Sequence, residues 1–440
     1  MARYLLNPFA EAEHSAVVPG RWVVATVHSR ISWPTKKQIV DYDGAEFVLL
    51  PQSDSESAAV AIRADAYGLD ATEARKRVME FCSALAWSER QGIEVIAWTG
   101  GNLPRPIHMG HGRSIVDFLE AEHLPYPTSD DGRAALALYR EGISLDNPFY
   151  SFLSLYKAIS VVIPNGKQRG SWIDATLADL DDHRATKRRD ELLDSRVDVG
   201  QYIRDEGRHA IAHAGKQPFV NPDEVEDHYR LQQDVPLLKN LAELAIEREG
   251  GIKRSNTIWK EHLYELKGFR DLIPDEILTV LEESGPIPDG TMLEMPDNYT
   301  VLARRGADVY AFEQLVPEIV GQIQGGIAMD FVSSDRTVRF RTVLDFSAEK
   351  LIFDPVQGIG FLQNRSDKDR VEIEIRILEF QRSILGNGHL EVWDPESDKM
   401  LGRSETCIPM NCFVNHEFYE NELGTLRELV ISLGEGIEVA

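Results

Sequence analysis

Cysteine is scarce in this chain, with three residues in 440: Cys82, Cys407 and Cys412. They show no zinc-type spacing and cannot all pair, so neither a disulfide scaffold nor a zinc ribbon underlies the fold, and a reduced, cytoplasmic setting is expected. Each reads most simply as a small buried apolar side chain. No apolar run approaches the length of a membrane span, so no membrane partner is expected. The stretch MARYLLNPFAEAEHSAVV sets no basic region ahead of an unbroken apolar one, so no signal peptide is expected. Basic residues are also in deficit: 47 Lys and Arg face 72 Asp and Glu, for a net charge of −25. Sequence-independent affinity for phosphate backbones comes from dense Lys and Arg, so a general polyanion binder is excluded. RNA would have to be admitted locally, by a small basic cleft in an acidic exterior. Repeats and low-complexity segments are absent.

What is present is an ordinary globular composition, 43% hydrophobic and 27% charged, long enough for several domains. An α+β multidomain chain is expected, in three parts. Residues 1–129 read as a mixed α/β domain, with strand signals at Trp22 to Ser29, Ala45 to Leu50, Ala58 to Arg63 and Glu94 to Trp98. A helix starts at the Asp70/Glu73 capping box and another is predicted from Ser114 to Glu122. Residues 130–255 read as an all-α bundle. Its second helix opens on Asn147-Pro148, a third covers Trp172 to Leu193, and a last one runs from Val235 to Glu249. Residues 256–440 read as a β-rich, sandwich-like domain, with a short helical stretch at Trp259 to Phe269 and period-two segments at Thr337 to Phe346, Glu372 to Phe380 and His389 to Trp393. Asn387-Gly388 reads as a turn between the last two, and a short helix is expected near His416 to Glu420. Substrate selection, sensing or assembly is expected of this part.

The richest local pattern is Arg208-His209-Ala210-Ile211-Ala212-His213. Asp198 and Gln201 match a helix start, Gly215 and Pro218 a stop, so Arg208 and His213 fall in the last turns. Five residues at about 100° each separate the two side chains by roughly 140° on an ideal helix, so a joint role needs a frayed end or a second chain. A helix C-terminus favours a cation there. Metal-free RNA cleavage needs proton-transfer groups and a fixed cation beside the charged phosphorane, which histidine and arginine supply.

Arg, a polar residue (here His209), three more residues and His, at a helix end in an all-helical segment, resembles the HEPN superfamily of RNases. The run ALALYREGISLDNPFYSFLSLYKAISVVIP, Ala135 to Pro164, resembles the first helices of HEPN domains in the ApeA and MauJ-like groups. The resemblance covers about residues 130 to 250. It implies a homodimeric, metal-independent endoribonuclease, without cofactor, that leaves a 2′,3′-cyclic phosphate. It places Arg208, His209 and His213 in the catalytic site, with Arg208 on the phosphate, His213 as general base or acid, and His209 polarising or positioning the scissile group. A toxin or antiviral defence effector, gated by its flanks through a regulatory protein or ligand, is the matching role.

Other readings stay open. The Arg-His pair can be a cap or surface charge. His209 and His213, spaced i, i+4, can bind zinc, although Ala210 stands where an H-E-x-x-H motif has its Glu. Asp205, one turn before His209, can orient that imidazole. The bundle can also be a non-catalytic nucleotide- or protein-binding module. Lys187, Arg188 and Arg189 form the clearest basic cluster for guiding RNA, with Lys253, Arg254, Arg133 and Arg140 as further candidates. Finally, His108-Met109-Gly110-His111 resembles the HIGH signature of class I aminoacyl-tRNA synthetases, and Lys399 to Ser404 their second signature. The chain enters a Pro-rich linker where that fold needs a parallel strand, so a ligand-contacting or plain surface loop is expected instead.

Overall fold

Strand signals near the N-terminus are realised one after another in the computed structural model, which describes residues 8–435 except 54–55, 108–113, 117, 120, 122, 196, 214–218, 289, 292, 362–365 and 406–413. Helix α1 (Pro8–Ala16) precedes strands β1 (Trp22–Ser29), β2 (Trp33–Pro34), β3 (Gln38–Tyr42), β4 (Ala45–Leu50) and β5 (Ala59–Arg63), helix α2 (Ala71–Glu89), and strands β6 (Ile93–Gly101) and β7 (Ser114–Val116). Five of the strands make an antiparallel sheet in the order β3-β4-β5-β1-β6, while β2 pairs with β7. Asp70 caps α2 with the complete capping box, its side chain accepting from the Thr72 and Glu73 amides. The α2 side chains Val78, Phe81 and Leu85 join one sheet face in a core, and Ala12 and Ala16 of α1 cover the other with Trp22 and Val24. Where a helix was predicted from Ser114, the residues Ser114–Val116 form a strand. His108 and His111 lie outside the described residues.

The centre is helical: α3 (Asp130–Ser144), α4 (Pro148–Val162), α5 (Gly166–Thr176), α6 (His183–Asp194), α7 (Val199–Tyr202), a π-helical segment (Ile203–His209), α8 (Ala210–Ala212) and α9 (Val225–Arg248). Asn147 caps α4, accepting from the Phe149 amide with Pro148 in the first turn. The single helix expected over Trp172 to Leu193 is two, because Asp182 caps a fresh start, accepting from the Arg184 and Ala185 amides. The last helix begins at Val225, ten residues before the expected Val235, and runs through Pro236. One core holds Leu136, Tyr139, Phe152, Leu155, Ile159, Tyr202, Leu238 and Leu241, and Trp87 of α2 belongs to it. Arg90, in the left-handed conformation that ends α2, donates to the buried Glu243 carboxylate of α9 at 3.1 and 2.5 Å, and the Tyr139 hydroxyl donates to the same group at 2.6 Å. A buried carboxylate is tolerated because its oxygens are so fully bonded.

Residues 1–255 and 256–440 form two compact units. The second holds α10 (Ser255–Lys260, its first residue in the other unit), α11 (Lys267–Arg270), α12 (Asp275–Glu282), strands β8 (Tyr299–Arg305), β9 (Asp308–Ile323), β10 (Gly326–Ser333), β11 (Val338–Asp345), β12 (Lys350–Phe353) and β13 (Ile359–Phe361), helix α13 (Asp367–Leu385), strands β14 (His389–Asp394) and β15 (Lys399–Glu405), and helix α14 (His416–Glu435). Where a sandwich was expected, the described strands make one antiparallel eight-stranded sheet in the order β12-β11-β10-β9-β8-β14-β15, with β13 also on β11, and α13 lies across it.

That helix occupies the segment Glu372 to Phe380 expected as a strand. Its sequence alternates, but Ile373, Ile377, Phe380 and Ile384 also recur at helical spacing, and Ser366 caps the start by accepting from the Asp369 amide. Phe380 then packs on Phe340 and Phe312 of the sheet, with ring centroids at 5.2 and 5.8 Å. Asn387-Gly388 therefore links a helix to a strand, with Asn387 at φ 70°. The helical stretch expected over Trp259 to Phe269 is two short pieces, and the one expected at His416 to Glu420 continues to Glu435. No described helix is long and apolar enough to cross a membrane.

Candidate functional site

Asp198 starts the motif helix, its carboxylate accepting from the Gln201 amide at 2.7 Å. Two glycines let the helix sit close to its neighbours. The Gly200 amide donates to Asp174 of α5 at 2.9 Å, and a Cβ at Gly200 would stand 2.8 Å from the Gly170 carbonyl oxygen. A Cβ at Gly207 would meet the Phe152 ring of α4 at 2.3 Å. Between them the backbone opens into the π-helical turn, in which the Ala210 amide reaches the Asp205 carbonyl five residues back. Such turns shift every later side chain around the axis and occur often at functional sites.

Inside the bundle, Tyr202, Ile203, Gly207 and Ala210 are buried. The Tyr202 hydroxyl donates to Asp234 of α9 at 2.8 Å, and Arg188 of α6 donates to the other oxygen at 2.8 Å. Arg230 lies 3.6 Å from the same carboxylate. Burial raises the Asp234 carboxyl above its ordinary value, against the pull of Arg188, the Tyr202 hydroxyl and Arg230. Tyr202 thus ties the motif helix to two others.

Outside the bundle, Arg204, Asp205, Arg208, His209 and His213 follow one another at or near the surface. Arg204 grips Asp205 through two bonds of 2.7 and 2.9 Å. The hydrogen bond from Arg204 is the largest influence on Asp205, and it holds that carboxyl below its ordinary value. The Asp205 Oδ1 atom lies 3.6 Å from Nδ1 of His209. The imidazole of His209 is pushed below its usual value by partial burial, then by the Arg208 charge, while Asp205 opposes the shift. The rings of His209 and His213 stand edge to face with centroids 5.8 Å apart.

Arg208 and His213 meet within one chain: Nη1 of the first is 3.3 Å from Nε2 of the second. The 140° separation of an ideal helix does not apply. His213 has left the helix, with φ −128° and ψ 78°, although its amide still donates to the His209 carbonyl at 3.0 Å. Guanidinium can only donate, so Nε2 accepts in this contact. The residues expected to stop the helix, Gly215 and Pro218, lie outside the described residues. Farther on, the Val220 amide returns to the Ala210 carbonyl at 3.3 Å.

The basic cluster does not face one way. Lys187 is exposed, Arg189 donates to the Leu177 carbonyl at 2.9 Å, and Arg188 turns inward to Asp234. Arg254 likewise pairs with Glu247 and Asp181. Asp234 was readable only as an oddity, an acid on the buried Leu231–Leu238 face of α9 that must find partners. Nothing in the sequence announced Arg204 as the clamp on Asp205. Among the described residues no group of three or more His, Cys, Asp and Glu side chains could hold a metal ion.

A family model described as methylamine utilization protein MauJ matches residues 135–247, which include the Arg204 to His213 segment with Arg188 and Asp234. The match identifies a MauJ-like domain. No curated protein and no solved structure matches the chain.

Proposed function

We propose that this protein is a metal-independent endoribonuclease of HEPN type, in which the exposed end of the motif helix cleaves RNA by 2′-hydroxyl attack and leaves a 2′,3′-cyclic phosphate. The Arg208–His213 contact carries this reading, because it sets a fixed cation and an imidazole side by side at the surface of the MauJ-like domain. A phosphodiester entering there would replace Nε2 of His213 as the guanidinium's partner, and the bidentate geometry of arginine suits its two free oxygens. His213 would then transfer a proton, and His209 would position the scissile group. Of the basic cluster, the exposed Lys187 is proposed to guide RNA, with Arg189 beside it, while Arg188 is bonded within the bundle.

A homodimer is proposed from the same resemblance, as is a cytoplasmic role in toxicity or antiviral defence in which the flanking regions restrain the nuclease through a regulatory protein or ligand. The net charge of −25 supports a restrained, selective enzyme over one that takes bulk RNA. It equally favours the second reading, a nucleotide- or protein-binding module without cleavage. Incubation with total RNA in EDTA, comparing the natural protein with Arg208→Ala and His213→Ala, separates the two.

A further inference from the structure

Helix α14 carries more apolar surface than its one packed side uses. Its main neighbour is α13, which it meets through the buried Leu423 and through two ion pairs, Arg382 with Glu420 at 3.2 Å and Arg427 with Glu379 at 2.6 Å. Leu423, Glu420 and Arg427 fall within about 60° of one another around the helix axis, so this arc is the side turned to α13. Phe418, Leu426, Leu429 and Leu433 recur at helical spacing on another side. Phe418 and Leu429, roughly 120–140° around the axis from Leu423, are 49% and 42% exposed. Leu426 and Leu433, partly exposed, lie between that row and the side that packs.

The charges around this row are of one sign. Glu422 interrupts the row itself, Glu417 and Glu428 lie beyond Phe418 on the side away from α13, and all three are exposed. Across the whole helix Glu417, Glu420, Glu422, Glu428 and Glu435 face the single Arg427, which is paired with Glu379. That pattern selects among occupants. Two α14 helices laid face to face would set the Glu422 and Glu428 of one copy against those of the other. An anionic lipid surface and RNA are repelled by the same acids. A helix with apolar residues at matching spacing and lysine or arginine beside them complements both halves of the surface.

We propose that this face of α14 is a docking site for a basic amphipathic helix of a partner protein. Phe418 and Leu429 are its apolar anchors, and Glu422 and Glu428 are the acids that select a basic partner. The site lies within the second unit and is independent of whether the bundle cleaves RNA.

The test uses a fluorescently labelled peptide of leucine and lysine, patterned as an amphipathic helix of about the length of α14, and its leucine–glutamate counterpart. Each is titrated with full-length protein and followed by anisotropy. The lysine peptide is expected to bind, less tightly as salt is raised, and the glutamate peptide is not. Phe418→Glu combined with Leu429→Glu should weaken binding of the lysine peptide by about tenfold or more. Glu422→Lys combined with Glu428→Lys should do the same and let the glutamate peptide bind. All four positions are exposed, so Tm should hold; if the first pair lowers it, the charge reversal carries the test. Lysine-peptide binding unchanged in both double variants would overturn the proposal, because the attraction would then come from the net charge of −25 at large. Failure of the natural protein to bind the lysine peptide overturns it as well. Self-association without peptide that is abolished by Leu429→Glu would overturn it in favour of a second copy of this chain.

Discussion

Arg208 Nη1 lies 3.3 Å from His213 Nε2 in a single chain, although an ideal helix would turn them to different faces. The contact occurs where the motif helix ends at Ala212 and His213 takes a non-helical backbone conformation. Two side chains with affinity for a phosphate and a proton are thereby held at the surface, and their neighbours set how firmly.

Gly207 is the first of those neighbours. Its missing side chain admits the buried Phe152 ring, and a methyl group there would stand 2.3 Å from a ring carbon. Gly207→Ala should cost about 1–3 kcal/mol through overpacking. The loss would be read as a lower Tm, with cleavage reduced at temperatures where the variant remains folded, since Arg208 is the next residue.

Asp234 is the second. Removing it strands Arg188 and the Tyr202 hydroxyl inside the bundle, and breaking a buried pair from one side costs about 3–5 kcal/mol. Asp234→Ala should therefore unfold at lower denaturant than Tyr202→Phe, which removes the hydroxyl's bond to Asp234 and those it accepts from Arg188 and Arg230 but leaves the carboxylate paired with Arg188. Equal midpoints for the two variants would show that the carboxylate is not the anchor.

Local signals were the legible part of this chain. Asp70 with Glu73, Asn147 with Pro148, and Asp198 each cap the helices their side chains announce, because a cap is a bond between near neighbours. Strands Trp22–Ser29 and Ala45–Leu50 followed from β-branched and aromatic runs. The illegible part depended on distant partners. Glu372 to Phe380 carries both periodicities, and only the sheet beneath it selects the helix. One sheet and two sheets leave the same alternation along a strand, so the expected sandwich rested on no distinguishing signal. At the site, residue types were readable but not their meeting: neither the π-helical turn nor the inward rotation of Arg188 leaves a mark in a single sequence.

In the second unit, Glu391 is fully buried and accepts from Arg304 at 2.7 and 3.1 Å, from Trp393 at 2.8 Å, and lies 2.8 Å from His389 Nε2. Burial pushes its carboxyl up, but the His389 bond and the Arg304 charge outweigh this and hold it down at about 2. A carboxyl lower in the folded state than in the unfolded one stabilises at neutral pH, and that contribution is lost as pH falls from about 4.5 towards about 2. Acid titration followed by the fluorescence of Trp393, in a variant lacking the other tryptophans, should show this loss, and Glu391→Gln should flatten the slope. Arg304→Met should be destabilising, by about 3–5 kcal/mol, since it removes the permanent charge paired with the buried Glu391 carboxylate and two of the bonds that it accepts.

Lys187 and Arg188 should part company. Lys187→Ala is expected to weaken RNA binding and reduce the salt slope by about one, with no change in Tm. Arg188→Ala is expected to lower Tm, since its guanidinium serves Asp234. Matching effects of the two variants on RNA affinity, with the fold intact in both, would contradict this assignment.

Cleavage itself is the most direct test. Purified full-length protein is incubated with total RNA in excess EDTA, beside Arg208→Ala and His213→Ala at equal folded concentration, and the new 3′ ends are identified. The predicted result is cleavage by the natural protein alone, with 2′,3′-cyclic phosphate ends and a loss of about 10²-fold or more in either variant. Cleavage that survives both substitutions, or that disappears in chelator and returns with zinc, would contradict the account.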